Sequence, residues 1–327
     1  MSQLQWLIDA HHHLWSLDGQ IHYPWLEEQP VPDFFLGDYR AIRRPFMPSD
    51  LRSLVPRGYR LLGSVHCEAE AERRQACDET RWVSGLSASL GLPSAHVGWA
   101  AFGNAECAAQ LDDQMRSPLF RGVRAKPVTA VAPDRIDEVR NSPGSLQDER
   151  WCSGLALLAE RGLSWDLRVP AWHLAEAAER LQSNPSLRVI LNHSGLPWDR
   201  TASGLSEWRR GLAALAANDR VCVKLSELGT PGRAWHADDN LALLCELIRI
   251  FGPERCLFAS NAPVSGLQVG YGDWLALVEQ AIRHTAPEAR DAILWRNALH
   301  WYRLDPQILA AAAGVTVDAL LERSPPR

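Results

Sequence analysis

Ile8-Asp9-Ala10-His11-His12-His13 closes the first apolar run of the chain, and its reading decides the fold. The run at 6–9 is short and apolar, as a buried strand should be, and it ends in three histidines where a nucleotide-binding sheet would carry a glycine-rich loop. Side chains two apart on a strand share a face, so His11 and His13 converge while His12 points away. Two imidazoles on one face begin a metal site.

Seven further apolar runs follow, at 61–68, 95–102, 122–126, 163–169, 187–193, 221–225 and 256–260. Amphipathic stretches separate them, at 73–90, 151–161, 172–181, 207–217, 240–251 and 271–283. Apolar strands alternating with helices indicate a parallel sheet covered on both faces. Eight such units predict a closed (β/α)8 TIM barrel over an open sheet. The expectation is one domain over 1–327, with a helical tail from about 287: one helix at 287–304 and a shorter one near 315–323. The long connections 16–50, 127–150 and 196–204 all follow strands. In a barrel they lie at the face where active sites form, and they are expected to act as lids.

The 327 residues are 46 % hydrophobic and 22 % charged, with a net charge of -5, which gives no electrostatic reason for nucleic acid or a membrane as partner. Residues 1–5 contain no basic leader, and no apolar run is long enough to span a bilayer, so a cytoplasmic protein is expected. The seven cysteines are scattered and form no C-x-x-C pair, which suits reduced core fillers.

The strand ends supply the chemistry. His193, after the sixth run, is a third metal ligand or a general acid/base beside His11 and His13. In the second run His66 and Glu68 share a face, and an inward carboxylate needs a cation, so both are candidate proton carriers. Arg124, Lys126, Arg168 and Lys224 place positive charge near one mouth, as an anionic small-molecule substrate would require. Asn261 projects from the end of the eighth run and can hydrogen-bond but not titrate.

Taken together, the segments resemble the amidohydrolase superfamily, in its branch of sugar-lactone and 2-pyrone-4,6-dicarboxylate lactonases. The resembling pieces are 8–15, Tyr23-Pro24-Trp25-Leu26, Arg121-Gly122-Val123-Arg124, 191–197, Cys222-Val223-Lys224-Leu225-Ser226, 251–264 and Asn297-Ala298. The resemblance implies hydrolysis of a lactone, histidines matching His11, His13 and His193, a substrate-contacting arginine at Arg124, and a substrate contact at Trp25. It implies either one divalent ion, zinc first, or metal-independent action. The branch usually ends its last strand in an Asp that deprotonates water; Asn261 departs from that. Two other functions stay open: non-oxidative decarboxylation of an aromatic acid, and a catalytically altered barrel that binds a metabolite. A homodimer is compatible with all three.

Overall fold

The computed structural model describes residues 4–32 and 34–323; the expectations for the polar start and the last tail residues fall partly on 1–3 and 324–327, outside the described residues. Every predicted apolar run overlaps a strand: β1 Gln5–His12, β2 Tyr59–Cys67, β3 Ala95–Gly98, β4 Phe120–Val123, β5 Ser164–Leu167, β6 Arg188–Leu191, β7 Val221–Leu225 and β8 Cys256–Phe258. All neighbours pair in parallel, in chain order. The ring closes just past β8, where the amide of Asn261 donates to His11 O and that of His13 to Ala262 O, each at 2.8 Å. Eight parallel strands with helices between them form the predicted TIM barrel.

The helices start and stop where the sequence supplies caps. Asp148 accepts from the amide of Arg150 to open Glu149–Glu160, and Thr201 accepts from that of Gly204 to open Ala202–Ala216. Gly91, at φ 72°, ends Ala76–Leu90 in the left-handed conformation that a side chain would disfavour. Helix Cys107–Gln114 was not anticipated, and it explains why β3 stops at Gly98 and not at 102. Gln114 Nε2 donates to Trp99 O and Gln110 Oε1 accepts from the amide of Ala101, both at 2.9 Å, so side chains replace the ladder there.

The tail differs from the expected pair of helices. It runs through a π-turn at Ala292–Arg296, helix Asn297–Trp301, helix Pro306–Ala313 and helix Val317–Glu322. Arg303, at φ 50°, breaks the run, and Asp305 caps the third piece by accepting from the Gln307 amide at 2.8 Å. Trp295, Leu299, Tyr302 and Leu309 pack with Trp6, Ile8, Val65, Ile190 and Leu257 in one buried cluster, which seals the barrel end opposite the strand C-termini. Among the described residues no helix is long and apolar enough to cross a membrane.

Candidate active site

At the strand C-termini lies a cavity of about 410 Å³, walled by His13, Arg124, Lys126, Arg168, His193 and Asn261 from the strands and by Trp25, Phe34 and Phe35 from the first long loop. That loop is fastened over the mouth: Trp25 Nε1 donates to Ala69 O at 2.8 Å, and Tyr39 OH to Trp25 O at 2.8 Å. Connection 196–204 places no residue on the wall; its Trp198 backs Phe35, the two rings 5.9 Å apart. Connection 127–150, also expected as a lid, contributes nothing to the wall.

A register shift between Asp9 and His12 sets up the histidines. Asp9 is turned to β8, where it accepts from the Ser260 amide at 2.9 Å and Oγ at 2.6 Å. Past the shift, His11 and His13 bring their Nε2 atoms to 3.3 Å. His13 Nδ1 donates to Cys67 O at 2.9 Å, which leaves its Nε2 with a lone pair. Burial, with Lys224 beside His11 and Arg124 beside His13, pushes both imidazoles well below their ordinary pKa, so both are neutral. His193 follows β6 at φ 55°, opening a turn in which Ser194, Gly195 and Leu196 also have positive φ. Its ring centroid lies 4.5 Å from that of His11, and its Nδ1 lies 3.1 Å from Ser226 Oγ. Burial and the charges of Arg168 and Arg124 keep it neutral as well.

Four residues singled out in the sequence do not reach the cavity wall: His11, fully buried against His13 and His193, and three others. Lys224 is fully buried beneath His11, with Nζ 2.5 Å from Asp166 Oδ1 and 3.1 Å from His11 Nδ1. Its inward face on β7 was read correctly, but it sits one layer deeper than a substrate contact. His66 is sealed behind β1, with Nδ1 3.1 Å from His96 Nδ1 and Nε2 3.3 Å from Leu14 O. Glu68 is buried under Arg124, accepting from its Nε at 2.8 Å and from Arg73 Nη1 at 3.2 Å. Burial would raise the Glu68 pKa, but Arg124, Lys126 and Arg73 outweigh it and hold the carboxyl at about 2. Glu68 is therefore the counter-ion of Arg124 and a poor proton acceptor.

The cationic wall is real at the other positions. Lys126 pairs with Glu70 across the cavity rim. Burial and the neighbouring Arg168 push the Lys126 ammonium down to about 8, and burial with Arg124 pushes the Arg168 guanidinium to about 10. Arg168 lies 5.8 Å from each of the Phe35 and Trp198 rings. Asn261, at φ 54°, is backed by a residue the sequence reading missed: Glu227, buried just past β7. A lone acidic residue beyond a strand end gives no periodic signal.

Among the described residues the one group of His, Cys, Asp and Glu whose ligand atoms all lie within 4.8 Å is His11, Cys67 and Asp166. Its centre is filled by the Lys224 ammonium, which is 3.5 Å from Cys67 Sγ as well as bonded to the other two. The expected trio His11, His13 and His193 is not gathered that tightly. The His11–His13 spacing matches that of two nitrogens on one zinc ion, roughly 3.3 Å, but His11 does not fit as a ligand, because the Lys224 ammonium at its Nδ1 leaves the proton of the neutral ring on Nε2. The same spacing carries a hydrogen bond from His11 Nε2–H to His13, the tautomer that a Lys224 N–H donating to His11 Nδ1 favours.

The family model described as Amidohydrolase matches residues 8–304. The y4mH protein of Sinorhizobium fredii is 32 % identical over 299 residues, covering 91 % of this chain and 98 % of its own length. The L-fucono-1,5-lactonase of Burkholderia ambifaria is 29 % identical over 307 residues, covering 91 % and 96 %. An amidohydrolase of Burkholderia multivorans solved with bound zinc superposes with a TM-score of 0.75 at 24 % identity, covering 91 % of this chain and 99 % of that one. With histidines and cations gathered at the strand C-termini of a closed barrel, the chain belongs to the amidohydrolase family, in the branch that holds its lactonases.

Proposed function

We propose that the chain hydrolyses a lactone that carries a carboxylate. The observation that carries the substrate class is Arg168. Among the described residues no hydrogen bond reaches its guanidinium, although it lies on the cavity wall against two aromatic rings. A planar carboxylate matches that fork with two hydrogen bonds, and Lys126 adds a second charge. Trp25 and Phe34, stacked at 6.0 Å with planes 6° apart, give the lactone ring an apolar wall. The similarity to a fuconolactonase supports the reaction type; the aromatic and cationic lining argues for an acid in place of a polyol.

The residues then divide the work. His193, neutral and steadied by Ser226, accepts a proton from water as the water oxygen attacks the lactone carbonyl carbon. The ring C–O bond breaks, and His193 returns the proton to the departing alkoxide, giving a hydroxy acid. Arg124, with Nη1 3.5 Å from His11 Nε2, points positive charge at the end of the cavity where the carbonyl oxygen becomes negative.

Hydrolysis of paired lactones, with and without a carboxylate, tests this by pH-stat titration. The charged member of each pair should be favoured at least ~10-fold in kcat/KM. Preference for uncharged sugar lactones, or no turnover above a His193→Ala control, would overturn it.

A further inference from the structure

Asn261 stands at the cavity wall with an amide that could present either oxygen or nitrogen. We infer that Glu227 is a positioning residue that turns the Asn261 oxygen toward the cavity and supplies, behind it, the negative charge that position 261 lacks. The inference rests on the hydrolytic reading above for its kinetic consequence, and on geometry for the rest.

Asn261 Nδ2 lies 2.9 Å from Glu227 Oε2 and 3.1 Å from Ser265 Oγ. An ionised carboxylate only accepts, so the nitrogen must face it and the oxygen must face away, into the cavity that Asn261 lines. Glu227 cannot turn to release it. Its Oε1 accepts from the Gly229 amide at 3.0 Å, and its Oε2 also accepts from Ser265 Oγ. Gly229 packs so closely that a Cβ there would stand 2.7 Å from Oε1. Glu227 and Asn261 both hold positive φ, at 46° and 54°. Such conformations are costly for residues with a side chain and persist where the surroundings over-determine them. The result is an acceptor oxygen at the cavity, fit to orient the attacking water, with the charge one hydrogen bond further back.

The pair predicts its own inversion. In Glu227→Gln the new NH₂ cannot face the Gly229 amide, which is a fixed donor, so it faces Asn261. Asn261 then flips and offers nitrogen to the cavity. Asn261→Asp alone sets two carboxylates against each other. Glu227→Gln/Asn261→Asp exchanges amide and acid across the same bond and restores an oxygen at the cavity. Steady-state kinetics on a lactone the natural protein hydrolyses should show kcat down about 10- to 100-fold in each single variant, with KM within about 3-fold, and kcat within about 5-fold of natural in the double variant. A Glu227→Gln enzyme within twofold of natural kcat, or a double variant no better than Asn261→Asp, overturns the inference. Thermal melting at pH 8 reads the pair without substrate. Asn261→Asp should lower Tm by about 5 °C or more and the double variant should recover to within about 2 °C. Equal Tm values for those two variants overturn it. Absence of any lactone turnover in the natural protein defeats the functional reading instead and leaves melting to judge the pair.

Discussion

Six of the buried histidines form two groups of three, and the triplet at 11–13 is split between them. His13 and His193 line the cavity with His11 packed against both; His12, His66 and His96 lie on β1, β2 and β3, away from it. Both groups are tightly packed, with ring centroids 4.5 Å apart for His11 and His193 and 5.1 Å for His66 and His96. Burial pushes all six below their ordinary pKa. Neither burial nor titration tells a working histidine from a structural one. Access and surrounding charge do. The first group reaches an open cavity through His13 and His193 and has Arg124, Arg168 and Lys224 around it. The second is closed off, His96 ending on Thr80 Oγ1 at 3.1 Å, and no ligand can approach it.

The hardest test of that difference substitutes one residue from each group. His193→Ala should lower kcat/KM by ~10³-fold, the loss of a general acid/base. His12→Leu, one residue from both His11 and His13, should stay within about twofold, since both ring nitrogens of His12 lack a hydrogen-bond partner and an apolar replacement loses little. Comparable losses in the two variants would break the distinction between the groups.

A smaller effect isolates the charge around the cavity group. Arg168→Met keeps the apolar stem against Phe35 and Trp198 and removes the guanidinium. For a carboxylated lactone KM should rise about 30-fold, on the order of 2 kcal/mol, with kcat little changed. For the uncharged analogue both constants should be nearly those of the natural enzyme. A kcat loss shared by both substrates would place Arg168 in the chemistry instead.

The split of the triplet also shows what the sequence could carry. Alternation assigned His11 and His13 to one face and His12 to the other, and strand ends correctly brought Arg124, Lys126, Arg168, His193 and Asn261 to one mouth. Alternation gives the face of a residue but not its depth along the barrel axis, which depends on the stagger between strands. Lys224 and Arg168 both read as inward cations, yet one is sealed under His11 and the other is at the wall. His66 failed for a related reason: it follows its strand's pattern, but the β1 register shift directs its neighbours elsewhere. Glu227 had no pattern at all, because it lies in a turn whose positive φ is fixed by its tertiary hydrogen bonds.

The last test concerns acid. The sealed group can gain protons only by opening the structure, whereas water reaches the cavity group in the native state. Stability and activity should therefore fall with acid through different histidines. Burial lowers the His66 pKa to about 4, below the value of 6.5 it regains on unfolding. Above pH 6.5 neither state is protonated and the group contributes its full stability. As pH falls toward 4 the unfolded chain binds a proton that the folded chain refuses, and about 3 kcal/mol is lost. His66→Asn removes that dependence. Melting curves between pH 7 and 4 should flatten in this variant, even if its Tm at pH 7 is lower, while the acid limb of kcat/KM stays where the natural enzyme has it. A displaced activity limb with an unchanged stability slope would mean that the sealed group communicates with the cavity after all, through the ring contact of 6.5 Å between His66 and His13.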